Sequence, residues 1–592
     1  MSTDSTQLQV TTYAYDTINR LTGVTYPTGT ANVTYGYDNA DRRTSMADGT
    51  GTTTYAYDEV DRLSSVTFSG SRAVAYQYDA AGNRTRITYP DTKAVNYAYD
   101  DANRLSTVTD WVSNTTAYAY DDAGRLTTTT FPTGVVEART YTTADQLLSH
   151  SAAKAGNTLT SFTYALDDAG MRTAVQTAAG TESYTHDALY RLTGVTYADG
   201  TLQGYTYDPA GNRLTKTQGG TTTTYAYDNA DRLTTVGGVS YTFDANGNQT
   251  GRGADTFTWD AENRLTSAVV AGATSTSVYR GDGLRHSLTT GGATATYTWD
   301  VAAGLPVVLQ DGSSTYVYGF GGALISQTAI GGAQTHVLSD GLGSTAAMTD
   351  SSGAITAAYQ YDVFGALRAS SGTGSSEYRY TGQQQEAASG LTYLRARFYD
   401  SVTGRFLSKD PFPGATALPA SQHPYAYAHG APTQYTDPSG LCLWDLCLGE
   451  AELTILGIGF LAATAGPSIH AWIESGTPQQ IAAAFDQMVD CAGQTIGDFI
   501  QQAKRRAEDF TRGQKGKLRD DNMERNEGAY LCEICGRDME PAEQSKSGVR
   551  PPDNEAHADH KIPVAQGGKG ELENGQMICR YCNLRKGSTL WP

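Results

Sequence analysis

The stretch YAYDEVDRLSSVTF, residues 55–68, decides how most of this sequence is read. Two tyrosines at i and i+2 place their rings on the same side of an extended strand, because strand side chains alternate between faces. Asp, Asn and Gly in the following residues supply a turn. The run after Arg-Leu alternates again and reads as a return strand. The unit is a β-hairpin with one aromatic face.

The same unit recurs along the chain. YAYD ends at Asp16, YGYD at Asp38, YQYD at Asp79, YAYD at Asp100 and Asp121, YTYD at Asp208, YAYD at Asp228, YTFD at Asp244 and FTWD at Asp260. A turn and Arg-Leu follow many of these, as in DTINRL, DDAGRL and DNADRL. One such hairpin is marginal in water, so neighbours must stack and share their aromatic faces. The tyrosines are accordingly expected to pack the sheet rather than to bind a ligand.

Composition agrees with a β-rich body. The 592 residues include 64 Gly and 39 Tyr, and the length implies more than one domain. A net charge of −19 excludes a general nucleic-acid coat. The excess negative charge lies upstream of Gln501; beyond it acidic and basic residues are about balanced. No cysteine precedes Cys442, which excludes a disulfide scaffold for the body. The N-terminus has no basic segment followed by an apolar one, so no signal peptide is expected, and export would need another route.

The repeats resemble the YD repeat of Rhs proteins and of the C components of Tc toxins, over about residues 10–441. The resemblance implies a long β-sheet wound into a shell that encloses a C-terminal toxin. Residues 336–441 resemble the Rhs-associated core, in the order HVLSDGLGSTAAMTDSSGAI, YQYDVFGALR, YTGQQQEAASGLTYLRARFYDSVTGRFLSKDP and HPYAYAHGAPTQYTDPSGL. That family cleaves itself just after a DPxGL motif, here between Leu441 and Cys442. The resemblance places the two carboxylates of an aspartyl-type site at Asp410 and Asp437 and the required arginine at Arg397. Two carboxylates sharing a proton can activate water and protonate a leaving group. Read without the family, Asp410 is a turn aspartate before Pro411.

From Cys442 helical patterning replaces the Tyr-Thr repetition. ELTILGIGFLAATAG, residues 452–466, is too short for a stable membrane span, which needs about 20 apolar residues. Residues 442–525 are expected to form a helical linker, either a packed spacer or a segment that assists release or entry.

The last stretch is different in kind. Cys532/Cys535 and Cys579/Cys582 are two C-x-x-C knuckles, able to place four thiolates on one structural Zn²⁺. Between and after them stand Asp559-His560, Asn574 and Asn583. The pattern resembles the HNH endonuclease family with its small ββα-metal fold. That resemblance assigns His560 as general base, Asp559 and Asn583 as ligands of a catalytic divalent ion such as Mg²⁺, and Asn574 as the residue that orients the histidine. Lys561, Arg580, Arg585 and Lys586 are candidate phosphate contacts or a solvated face. His557 is open between an extra ligand, a phosphate contact and a surface residue.

The expected organisation is therefore a mostly β, multidomain chain: a YD-repeat shell over 1–335, an Rhs-associated core over 336–441, the linker over 442–525 and an HNH domain over 526–592. The leading function is a polymorphic toxin whose nuclease cuts DNA in a competitor cell. It implies a cognate immunity protein, a secretion-system component, synthesis in a bacterial cytoplasm and export without a signal peptide. A nuclease acting on RNA, and a surface adhesion protein with a zinc-stabilised binding module, are the alternatives.

Overall fold

The computed structural model describes residues 10–27, 29–411, 419–441 and 523, together with the backbone of the strands Ala556–His560 and Gly575–Cys579. The expected linker helices and most of the HNH segment lie outside the described residues. Two compact units divide at Ile469/His470.

In the first unit, 29 strands from Thr12–Tyr15 to Ala293–Thr296 form one sheet. Each pairs antiparallel with its neighbour in sequence, so the sheet is a continuous meander. An eight-stranded sheet follows, from Thr298–Asp300 to Leu367–Gly372. Residues 335 and 336 lie within one of its strands, Gln334–Ser339. A four-stranded sheet from Gln384–Gln385 to Arg405–Phe406 completes the unit.

Local chemistry explains the hairpin. Asp58 Oδ1 accepts the N–H groups of Val60 and Arg62 at 3.0 and 2.9 Å. Asp61, just before the arginine, has φ +68°, and the pairing slips between Ala56 and Tyr57. A turn closed by a left-handed residue and a bulge is a favoured short hairpin connection. Asn or Gly takes the same place in most other repeats, with Asn103 at +59° and Gly124 at +82°, and Tyr190 holds it at +60° in one. Gly, Asn and Asp enter that region at the lowest cost.

In most units after the first, whose Tyr13 and Tyr15 are both exposed, the two tyrosines divide the work. The first, such as Tyr76, Tyr97 or Tyr118, is buried in the main core. The second is half-buried and donates its hydroxyl to a carbonyl of the preceding hairpin: Tyr78 to Leu63 at 2.9 Å, Tyr120 to Leu105 at 2.7 Å and Tyr207 to Leu192 at 2.8 Å. Burial of an aromatic ring contributes about 2 kcal/mol and the hydroxyl bond about 1 kcal/mol. Arginine ties hairpins in the other direction. Arg62 Nε bonds Asp58 at 2.7 Å, its Nη1 reaches the Asp79 carbonyl at 2.8 Å, and its guanidinium lies 4.8 Å from the Tyr78 ring. The opposite face carries threonine pairs, such as Thr217–Thr222 at 3.0 Å and Thr289–Thr294 at 2.8 Å.

Strands twist with a fixed hand, so a long meander curls. Here later turns meet the edge of earlier ones. Gly281 N–H bonds Asp48 at 2.6 Å, Tyr89 OH bonds the Tyr316 carbonyl at 2.8 Å, Gly341 N–H bonds Tyr164 OH at 2.8 Å and Val363 N–H bonds Tyr197 OH at 3.2 Å. The separation shrinks along the series from 233 to 166 residues, so the winding tightens. The core lies where the turns meet, joining Val66, Phe68 and Tyr76 to Trp299, Leu309 and Tyr316 and to Tyr393 and Phe398.

Candidate functional site

The hairpin of strands Arg397–Asp400 and Arg405–Phe406 carries the first of the expected self-cleavage residues. Arg397 is 3% exposed, and its guanidinium stacks 3.6 Å from the Phe406 ring centre. Its Nη2 lies 2.7 Å from Asp410 Oδ2 and 3.4 Å from Asp437 Oδ2. Its Nη1 donates to the Pro424 carbonyl at 3.3 Å and its Nε to the Gly440 carbonyl. One buried cation thus touches both expected carboxylates and the chain that leads to Leu441. A buried guanidinium needs such partners, because its desolvation costs several kcal/mol.

Asp437 grips that chain from the other side. Its Oδ1 accepts Gly440 N–H at 2.8 Å, Leu441 N–H at 3.2 Å and Ser439 OH at 3.1 Å. Arg395 Nη1 holds the Pro438 carbonyl at 2.7 Å, and Ala396 N–H the Ser439 carbonyl at 3.1 Å. Gly440 has φ +73°, and a Cβ there would meet Leu394 O at 2.5 Å. Asp410 N–H donates to the Pro424 carbonyl at 2.8 Å, and its residue borders an open cleft of about 410 Å³ that Lys409, Gln422, Tyr425 and Asp231 also line. The structure therefore brings together Arg397, Asp410, Asp437 and Leu441, which are up to 44 residues apart in sequence. Pro424, Phe406 and the Gly440 carbonyl were not singled out from sequence; two act through backbone atoms, which carry no residue signature.

In the second unit, strands Ala556–His560 and Gly575–Cys579 pair antiparallel, with Ala556 opposite Cys579, Asp559 opposite Gln576 and His560 opposite Gly575. The backbone pairing therefore brings the Asp559-His560 strand and the Cys579 strand side by side. Cys532, Cys535, Cys582, Asn574, Asn583, Lys561, Arg580, Arg585 and Lys586 lie outside the described residues. Among the described residues no cluster of three or more His, Cys, Asp or Glu could hold a metal, and no helix is long and apolar enough to cross a membrane.

The wound YD-repeat sheet defines a β-shell class of protein, and in this chain the sheet is followed by the Arg397-Asp410-Asp437 cluster. Residues 2–111, 168–290 and 309–433 match the Teneurin YD-shell family, together more than half of the chain, and residues 99–136 match the RHS Repeat. The chain belongs to the YD-shell family, and residues 532–589 match the HNH endonuclease family. Among similar proteins, tRNA3(Ser)-specific nuclease WapA of Bacillus spizizenii is 36% identical over 271 residues, 43% of this chain and 12% of that protein. Double-stranded DNA deaminase toxin A of Burkholderia cenocepacia is 28% identical over 261 residues, 40% of this chain and 17% of that protein. The chain thus spans a small part of the curated relatives it matches. The TcdB2-TccC3 crystal structure superposes with a TM-score of 0.62 at 18% identity, over 73% of this chain and 27% of that one. The Tc holotoxin pore of Photorhabdus luminescens gives 0.55 at 16%, over 76% and 30%. At these identities the likeness is one of fold.

Proposed function

We propose that this chain is a polymorphic nuclease toxin: a YD-repeat shell over 1–335 and an Rhs-associated core over 336–441 that cut the chain after Leu441, and so free an HNH nuclease at 526–592 from its carrier. The observation that carries the reading is the contact of one carboxylate, Asp437, with both Leu441 N–H and the Arg397 guanidinium that it shares with Asp410. It stands at the end of the repeat and core segments, upstream in sequence of residues 532–589 that match a nuclease.

The cut is a hydrolysis. One carboxylate takes a proton from water, and the water oxygen bonds the Leu441 carbonyl carbon. The other carboxylic acid gives its proton to the Cys442 nitrogen as the C–N bond breaks. Leu441 ends as a carboxylate and Cys442 as a free amine. Arg397 holds both aspartates and the Gly440 carbonyl, and its charge balances the one negative charge that the proton-sharing pair carries.

In the released domain His560 acts as general base and takes a proton from the attacking water. Asn574 orients it. Asp559 and Asn583 supply oxygen donors, which suit a hard divalent ion such as Mg²⁺; when bound, that ion supplies positive charge beside the scissile phosphate. Cys532, Cys535, Cys579 and Cys582 are a four-thiolate set, which suits structural Zn²⁺. Lys561, Arg580, Arg585 and Lys586 contact phosphates. DNA is the leading substrate. A second reading, tRNA, is favoured by the similarity to a protein named as a tRNA nuclease. Either target is fatal to a competitor, so a cognate immunity protein and a delivery apparatus belong to the proposal. In sequence, the linker 442–525 joins carrier and nuclease.

The test is to purify the full chain, measure fragment masses, and incubate the product with plasmid DNA and with tRNA plus Mg²⁺. Cleavage between Leu441 and Cys442 with loss of one nucleic acid is expected. A chain that stays whole and leaves both substrates intact would make the carrier-and-nuclease reading untenable.

A further inference from the structure

The repeat has a rule for its arginine. In most repeats the residue four after the YD aspartate is an arginine that places its guanidinium over the second aromatic of the next repeat; Asn83, Asn212 and Asn248 take that place in three others. Arg42 lies 4.8 Å from the Tyr57 ring, Arg104 4.6 Å from Tyr120, Arg125 5.1 Å from Tyr141 and Arg191 4.9 Å from Tyr207. In the repeat that starts at Asp208 the residue is Asn212, whose amide donates to Asp208 at 3.0 Å and to Asp231 at 2.7 Å. The ring it would have covered, Tyr227, is nevertheless covered. Arg405, 193 residues later, lies 4.8 Å from it. Arg405 Nη1 donates to Asn212 Oδ1 at 2.9 Å and Nη2 to the Asp231 carbonyl at 2.5 Å. A residue of the four-stranded sheet occupies the seat that the 29-stranded repeat sheet, the wall of the unit, leaves empty in its own sequence.

The seat is built as well as vacant. His423 Nδ1 accepts the N–H groups of Tyr425 and Ala426 at 3.1 and 3.0 Å, so its Nε2 carries the proton given to Asn212 Oδ1 at 2.9 Å. Asn212 is 1% exposed. Both hydrogens of its amide and its one oxygen are engaged, so no larger side chain fits without evicting Arg405 or His423.

From this seat the connection to the cleavage cluster is short. Arg405 pairs with Asp400 across the hairpin, and Phe406, the next residue, carries the Arg397 guanidinium on its ring. Two more wall arginines pin the same hairpin: Arg213 Nη1 bonds the Thr403 carbonyl at 3.0 Å and Arg252 Nη1 bonds Asp400 Oδ2 at 3.0 Å. We infer that Arg405 is a positioning residue for self-cleavage and Asn212 the notch in the wall that receives it, so that the site is assembled only once the wall has wound through residues 208–260. The inference rests on the self-cleavage reading above and adds an order of events: wind, dock, then cut. The reason is chemical. A hairpin without its three wall contacts has no fixed platform for Arg397, and a misplacement of about 1 Å can cost about 100-fold in rate.

The test uses the full chain and reads the rate at which the fragment beginning at Cys442 appears, beside circular dichroism and thermal melting. Asn212→Arg restores the repeat's own arginine over Tyr227, so the wall should stay folded while cleavage slows at least about tenfold. Asn212→Arg with Arg405→Ala should melt like wild type and still cut slowly, which separates docking from wall stability. Arg405→Ala alone should cut slowly, and Arg405→Lys, which keeps a cationic donor to Asn212, should recover part of the rate. A folded Asn212→Arg chain that cuts at the wild-type rate overturns the inference. Asp437→Asn distinguishes the two levels: if wild type and Asp437→Asn cut alike, the self-cleavage reading itself fails and the docking role falls with it.

Discussion

Asp437 Oδ1 accepts the backbone N–H of Leu441 at 3.2 Å. The carboxylate therefore touches the residue whose carbonyl is proposed to be attacked, while its other oxygen faces Arg397 at 3.4 Å. Replacing Asp437 with Asn keeps an acceptor for Leu441 and Gly440 but removes the titratable oxygen. Cleavage at Leu441 should fall by at least about 100-fold, the scale of losing a general acid or base, with melting temperature little changed. Asp410→Asn should do the same. Arg397→Ala should be worse in a different way: it leaves two buried carboxylates without their cation, and loss of a buried partner costs about 3–5 kcal/mol. Fragment masses and thermal melts read the two effects apart.

Gly440 tests the geometry without touching a charge. Its φ of +73° favours glycine, and a Cβ would strike Leu394 O at 2.5 Å and Arg397 N at 2.9 Å. Gly440→Ala should push Leu441 away from Asp437 and slow cleavage by about tenfold or more, at a cost of about 1–2 kcal/mol in stability. A cleavage rate equal to wild type in the alanine variant would show that Leu441 is not held in place by this turn.

Much of this architecture is legible in residues 55–68 alone. The Y-x-Y-D spacing fixes the strand, the turn and the shared aromatic face, since all three are relations within about 14 residues. The role of Arg62 is harder to read, because its partners Asp79 and Tyr78 belong to the next hairpin. The winding is not legible at all. The contact of Tyr89 with Tyr316, or of Arg405 with Asn212, depends on twist accumulated over many strands, and no local pattern records it. Arg397, Asp410 and Asp437 were found through a family motif; chemistry alone would have left Asp410 as a turn residue.

The wall contains a second buried charge group, and it predicts a pH dependence. Glu137 Oε2 lies 2.8 Å from Arg139 Nη2 and 3.5 Å from His150 Nε2. Burial pushes the Glu137 carboxyl up, but its contacts with His150 and Arg139 outweigh burial and hold the group down at about 2, below its ordinary 4.5. The folded state therefore binds this proton less readily than the unfolded chain. The stabilisation is fully present above about pH 4.5 and is lost as pH falls through about 2, a difference of up to about 3 kcal/mol. Denaturant midpoints measured from pH 6 to pH 2 should fall more steeply for wild type than for Glu137→Gln. Parallel curves would mean the carboxylate is not charged in the folded wall.

The nuclease segment makes the last prediction, because its two proposed metals have different chemistry. A four-thiolate site built from Cys532, Cys535, Cys579 and Cys582 has no open position and holds the domain together. An ion on Asp559 and Asn583 would be bound by oxygen and exchange easily. Mild chelation with EDTA should therefore stop nucleic-acid cleavage while the zinc, measured by elemental analysis, stays at one per chain. Adding Mg²⁺ should restore activity in full. His560→Ala should abolish activity, by at least about 100-fold for loss of a general base, and leave the zinc content unchanged. Cys579→Ser should lose zinc and activity together, since Cys579 ends the strand that pairs with Ala556–His560. Activity that survives both EDTA and His560→Ala would remove the HNH mechanism from this chain.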